Sequence, residues 1–424
     1  MRKDTGVSVP AVLLAVVIVM STLFLIAHIV AANKVADGYD AWETRLGSLD
    51  QLLEEYPTTV TDETGWELER LANEVGISLV PRGDRGRKPL GTEVEKRWDT
   101  VKGSMIKKYL NAILVSQELG ASATMPEEPA AFLEEYGASL EQVRDYLNDG
   151  AQPVWTSDFS AMMHAPIPNL LGHIDLHRLL MVAAHQQRLA GNEAEGEAYL
   201  EAGWNLLQPL RETPYLINQL IALAQVRYLV GSLRHFESVS PQWDARLASL
   251  DVRADITRSL QYEGWVWLSL DKMPNAADSG VQSAINFMTR PYARYCAAET
   301  SLGWFDSLES FLEQDVICDD PLVIDTLDVE IPPWNVLGEV MVVNYRSVIE
   351  RMANAQIQIE MTEQLLAARR GERIDGPSRF CPNDHWSTIE ADGMTTVALS
   401  RQPKWDLAVV GVRLPLESSF TNAQ

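Results

Sequence analysis

Residues Val9 to Val30 read VPAVLLAVVIVMSTLFLIAHIV, an apolar run without one charged side chain. About 20 residues of helix span the hydrocarbon core of a bilayer. The run therefore predicts a transmembrane helix over 9–32, after a short cytoplasmic tail at 1–8. Ser21 and Thr22 interrupt it cheaply, because a helical hydroxyl can bond back to its own backbone. His28 lies near one end, where its ring reaches the interface; an intramembrane proton relay is the alternative. A cleaved signal peptide has an apolar core of only about 7–15 residues. This run is longer, although Ala31 and Ala32 supply small residues for cleavage. No cysteine follows it, as a lipoprotein would need, and no early glutamate marks a pilin-like signal.

Flanking charge gives the direction. Arg2 and Lys3 precede the run, whereas Lys34 is soon outnumbered by Asp37, Asp40 and Glu43. The positive-inside rule then places the N-terminus in the cytoplasm. The expected location is single-pass in a bacterial inner (cytoplasmic) membrane, with the large domain exocytoplasmic or periplasmic.

That domain has the composition of a folded protein: 46% of the chain is hydrophobic and 22% charged. The formal net charge of -24 argues against nucleic acid, whose phosphates need clustered Lys and Arg. It also argues against the domain lying flat on an anionic lipid surface. Solubility is its simplest consequence.

Periodicity and breakers predict a mainly α chain. An N-terminal helical region over 33–160 includes helices near 33–56, 63–75, 92–119 and 128–148. A basic loop, Pro81 to Gly91, carries Arg82, Arg85, Arg87 and Lys88. A helical core over 161–375 begins with three helices joined by short turns between Asn169 and Phe236, so neighbours pack antiparallel. Further helices are expected near 241–271, near 276–305 with a break at Pro291, near 307–314 and over 334–370. The Gly191-Asn192 turn resembles a tetratricopeptide hinge, but the pattern does not recur about 34 residues on. The segment 376–424 changes period. Two β-rich runs flank Asp392-Gly393, a strong hairpin signal, and Trp405–Leu414 could add a third strand. An isolated hairpin is marginal, so the sheet is expected to pack on the long helix. The fold class is thus a transmembrane helix, an irregular α-helical hairpin array of divergent tetratricopeptide-like character, and a small antiparallel hairpin or three-stranded sheet.

The stretches PNLLGHIDLHRLL (168–180) and PYLINQLIALAQVR (214–227), with the tail from Cys381-Pro382 to Leu416, carry a resemblance. In them the chain resembles a family of membrane-anchored, mainly helical bacterial proteins of planctomycete and acidobacterium type. The resemblance covers about two thirds of the chain. Its motifs are packing signatures, so it implies topology and no activity.

His173 and His177 are four apart on a predicted helix, which places both rings on one face, as metal ligands require. Ile174 and Asp175 follow where a HExxH site needs glutamate, and His185 is rotated about 80° away at 100° per residue. A hydrogen-bonded structural pair is the competing reading. Cys381, Asp384 and His385 crowd one turn, but catalytic partners usually come from distant segments. Of the three cysteines, Cys296 lies in an apolar stretch and reads as a core thiol. Cys318 and Cys381 lie in loop-like segments and are the candidates for a disulfide. Acidic pairs such as Glu54-Glu55, Glu127-Glu128 and Asp319-Asp320 fit a solvated face as well as acid–base chemistry. Tryptophans at predicted helix ends (Trp98, Trp155, Trp243, Trp334) fit closure of the core, with a carbohydrate platform as the alternative. No nucleophile-elbow, phosphate-loop or dinucleotide-binding pattern is present.

No catalytic residue, cofactor or nucleic acid is implied. The expectation is a non-enzymatic envelope protein, a helical scaffold or accessory subunit that holds protein partners in or at the membrane. An exocytoplasmic hydrolase or envelope-remodelling enzyme, its site assembled from distant residues, is the alternative.

Overall fold

A computed structural model of the chain describes residues 9–81, 92–115, 124–150, 152–269, 281–313, 318, 331–336, 338, 345–372, 374–391, 394–401 and 411–415. The basic loop with Arg82, Arg85, Arg87 and Lys88, the Asp319-Asp320 pair, the Asp392-Gly393 turn and the tail with Arg2 and Lys3 lie outside the described residues. The described parts of Met1–Glu55, Leu260–Glu313 and Leu327–Tyr345 form one compact unit. Those of Tyr56–Ser259, Gln314–Thr326 and Arg346–Gln424 form the other.

The first unit is built on α1 (Val9–Leu46), one unbroken helix of 38 residues. The sequence predicts an anchor over 9–32 and then a separate helix reaching Tyr56. No breaker stands between them, and the chain first bends at Gly47, whose φ of +90° favours glycine. A short α2 (Leu49–Glu55) follows. Apart from half-buried Phe24, the large apolar side chains between Val12 and Val30 are between 46% and 62% exposed. From Ala31 onward burial sets in, with Val35 and Trp42 in the core.

Trp42 anchors this half of α1. Its Nε1 donates to the Ser301 carbonyl at 3.3 Å, and its ring lies 5.7 Å from Phe305. Both partners sit on α12 (Val281–Glu313). Lys34 pairs with Glu299 of that helix at 2.8 Å. The expected break at Pro291 does not occur, and α12 continues through it. Proline removes one backbone donor, which packing of α1 along the helix outweighs.

The second unit holds helices α3 (Glu63–Glu74), α4 (Glu93–Ser104), α5 (Asn111–Val115), α6 (Glu127–Asn148), α7 (Leu170–Leu189), α8 (Glu193–Arg211), α9 (Leu216–Leu233) and α10 (Gln242–Ala248). The long helix α13 (Tyr345–Arg369) also belongs to it from Arg346 on. A π-helical turn, Met105–Leu110, joins α4 to α5. Helix α11 (Val252–Leu268) has its first part in this unit and its last residues in the other. Asp62 caps α3 and Thr92 forms a capping box with Glu95.

Helices α7, α8 and α9 form the core predicted between Asn169 and Phe236. Helix α7 stops where Gly191 takes φ +81° and Asn192 N–H bonds back to the Gln187 carbonyl at 2.9 Å. On α8, a Cβ at Gly196 would lie 2.9 Å from the Ala184 carbonyl of α7, so the small residue sets their approach. Helix α9 is apolar enough to cross a membrane, but 72% of it is buried within the protein, as for a core helix.

The long helix was expected from Trp334. Trp334 sits in a turn, Val336 and Gly338 are already helical, and the helix is described continuously from Tyr345. It ends as expected at Gly371, with φ +77°. The C-terminal sheet is antiparallel in the order β1-β2-β3-β4: β1 (Asp375–Pro377), β2 (His385–Ala391), β3 (Met394–Leu399) and β4 (Gly411–Pro415). The register pairs Trp386 with Leu399 and Val397 with Val412. Trp386, Val397 and Leu399 are buried, which gives the sheet one inner face against α13.

Candidate functional site

The histidine pair sits inside the second unit. His173 and His177 are both fully buried on α7. The ring of Trp155 meets His173 edge-on at 4.9 Å, and Gly203 of α8 leaves room for His177 Nε2. Among the described residues their ring nitrogens have no hydrogen-bond partner of good geometry. Burial holds both rings down to about 3, slightly opposed at His173 by the Leu79 backbone. They are neutral packing groups in this environment. Among the described residues no three His, Cys, Asp or Glu side chains come together as a metal site.

Cys318 and Cys381 are joined, with Cα atoms 5.5 Å apart. Cys296 is a buried thiol, pushed up chiefly by that burial. Asp384 is buried and receives Arg401 at 3.0 Å, whereas His385 is exposed on β2. The residues of that turn thus serve a disulfide and an ion pair.

The second unit carries a groove of about 930 Å³. One wall is the segment Ile77–Pro81, which the buried carboxylate of Glu69 fixes. Glu69 accepts from Ser78 Oγ at 2.8 Å, Leu79 N at 2.6 Å and Val80 N at 3.3 Å. Asn169 clamps the same segment, donating Nδ2 to the Ser78 carbonyl at 2.7 Å and its backbone N to the Leu79 carbonyl at 2.8 Å. Gly172 is obligatory here, because a Cβ would lie 1.8 Å from the Ser78 carbonyl. Trp98 of α4 backs the groove and is itself buried.

Apolar side chains stand up along its edge. Leu171 is 73% exposed and Ile217 48%. Charges around them are already matched: Lys102 with Asp99 at 2.5 Å and Lys96 with Glu93 at 3.6 Å. Asp175 pairs with Arg178 at 3.4 Å, and burial raises its pKa against the pull of Arg178 and Lys102. Among the described residues no histidine lines the groove. No family model, curated protein or solved structure matches the chain.

The rim of the groove is apolar where Leu171 and Ile217 stand. It offers these exposed aliphatic side chains on a rigid frame. Sequence reasoning missed Leu171 and Ile217. Their signal was present: both fall outside the inward stripe of otherwise buried helices.

Proposed function

We propose that this chain is a non-enzymatic, single-pass membrane protein that holds a protein partner at a bacterial cytoplasmic membrane, its folded part outside. The observation that carries this reading is α1. Its apolar side chains from Val12 to Val30 face outward on all sides, and the same helix runs on without a break to the buried Trp42. Surface of that kind is costly in water and favourable in lipid. The continuous helix would tie the bilayer directly to a folded unit.

Two further features support the orientation. Arg2 and Lys3 precede the apolar run, as cytoplasmic flanks do. The Cys318–Cys381 bridge suits an oxidising compartment. The groove edged by Leu171 and Ile217 is the surface on which an apolar segment of a protein in the same membrane would rest. Burying such side chains contributes about 1.5–3 kcal/mol each.

The test is purification of the full chain in mild detergent from its native membranes, beside a Leu171→Glu/Ile217→Glu variant. Both positions are exposed, so the variant folds, as circular dichroism will verify. The reading predicts a discrete partner in fixed ratio with the native chain and its loss from the variant. A solitary chain, or a partner retained equally by the variant, overturns it.

A further inference from the structure

Arg234, at the C-terminal cap of α9, is buried. Its Nη1 donates to Gln358 Oε1 at 2.6 Å and to Thr362 Oγ1 at 3.5 Å, both neutral side chains of α13. Among the described residues no carboxylate pairs with it. Buried charges are ordinarily paired, since desolvating an isolated one is expensive.

Arg234 lines a cavity of about 430 Å³ between α5, α7, α9 and α13, within the second unit. Three further arginines line it: Arg178, Arg227 and Arg351. Arg178 is matched by Asp175 and lies over the Tyr228 ring at 4.9 Å. Arg227 and Arg351 are exposed and make no ion pair among the described residues. No aspartate or glutamate is among the described lining residues. In a chain of net charge -24 this is a local inversion of sign. Leu114, Leu220 and Leu223 give it an apolar stretch of wall, beside the polar side chains of Asn354 and Gln358.

We propose that this cavity binds a small amphipathic organic anion, its phosphate or carboxylate held by Arg234 and its apolar body against the leucines. Arg227 and Arg351 stand where they attract the anion and close on it. Guanidinium groups suit this work, since they present several donors to phosphate or carboxylate oxygens. The volume falls in the range of small-molecule sites, about 300–1,000 Å³. Burial, with Arg227 nearby, holds the Arg234 guanidinium down to about 9, a cost that a bound anion would relieve. The anion could be the headgroup end of a lipid or a soluble ester, since both present the same chemistry.

The experiment uses the full chain in phosphatidylcholine nanodiscs, titrated with hexyl phosphate in a calorimeter. One saturable site per chain is expected. Inorganic phosphate should bind about tenfold more weakly or worse for want of an apolar body, and hexanol should give no saturable signal. Arg227→Gln/Arg351→Gln, at exposed positions that leave the fold intact, should weaken hexyl phosphate by about tenfold or more. Arg234→Met should abolish binding, and the double variant carries the test if it misfolds. Loss of the response in discs containing phosphatidylglycerol marks a lipid as the source, and an undiminished response marks a soluble anion. Absence of a saturable site, equal binding by the double variant, or hexanol matching hexyl phosphate overturns the proposal.

Discussion

Trp386 of β2 donates its indole Nε1 to the buried carboxylate of Glu360 on α13 at 3.2 Å. The same carboxylate accepts from Ser378 Oγ at 2.7 Å, Arg379 N at 3.2 Å and Phe380 N at 2.9 Å. One side chain therefore fastens both the sheet and the loop that leads to Cys381. Glu360→Ala leaves these donors buried without an acceptor and should cost about 3 kcal/mol. Trp386→Phe removes one donor and should cost about 1–2 kcal/mol, less than the glutamate change. Urea denaturation of the full chain checks the order; equal or negligible losses would break the account of how the sheet is held.

Trp42 and Gly264 form a second fixed pair, in the first unit. A Cβ on Gly264 would lie 2.1 Å from Trp42 Cζ2. Trp42→Ala should cost about 3–5 kcal/mol through the cavity it leaves. Gly264→Ala should also destabilise, but much less once Trp42 is alanine, because the clash has gone. Thermal unfolding across the double-mutant cycle should thus be non-additive. Strict additivity would mean that the two residues do not meet.

The Cys318–Cys381 bridge closes a sequence separation of 63 residues. Chain entropy gives such a loop about 4 kcal/mol. The denatured, unreduced chain should accept one alkyl group, at Cys296, and three after reduction. Cys318→Ser/Cys381→Ser should lower the denaturation midpoint. Three labels before reduction would exclude the bridge.

Acid should weaken the second unit. Burial holds His173, His177 and His235 down to about 3 and His185 well below its ordinary range. Unfolded imidazole protonates near pH 6.5, so the unfolded chain binds more protons below that pH. Stability is then complete above about pH 6.5 and falls with pH, by up to about 1.4 kcal/mol per unit for each histidine. Asp175, Asp255 and Glu363, raised by burial, act in the opposite sense once pH falls into their range. The urea midpoint should drop between pH 7 and 5, and His177→Leu should flatten that slope by one histidine's share. A flat profile would mean that these rings are solvated.

The ends of helices were legible where glycine ends them, as at Gly76, Gly191 and Gly371, each with positive φ. The apolar run, the three core helices and the β-rich tail were legible from period alone. What escaped had no local signal. Nothing between Val30 and Lys34 says that α1 continues, and Pro291 looks like a breaker until α12 is seen against α1. Strand β1, Asp-Gly-Pro, has no strand character and exists because β2 offers it an edge. On α7 nearly every position is buried, so spacing placed His173 and His177 on one face without revealing that both faces are inside. The cluster of Arg178, Arg227, Arg234 and Arg351 draws on three helices and exists only after folding.

The most direct measurement is protease accessibility in intact spheroplasts, with carbonate extraction alongside. The account predicts that added protease removes everything beyond α1, that the protected fragment is the N-terminal apolar helix, and that the undigested chain stays in the carbonate-washed membrane. Release of the chain by carbonate, or a domain protected until the spheroplasts are lysed, would contradict it.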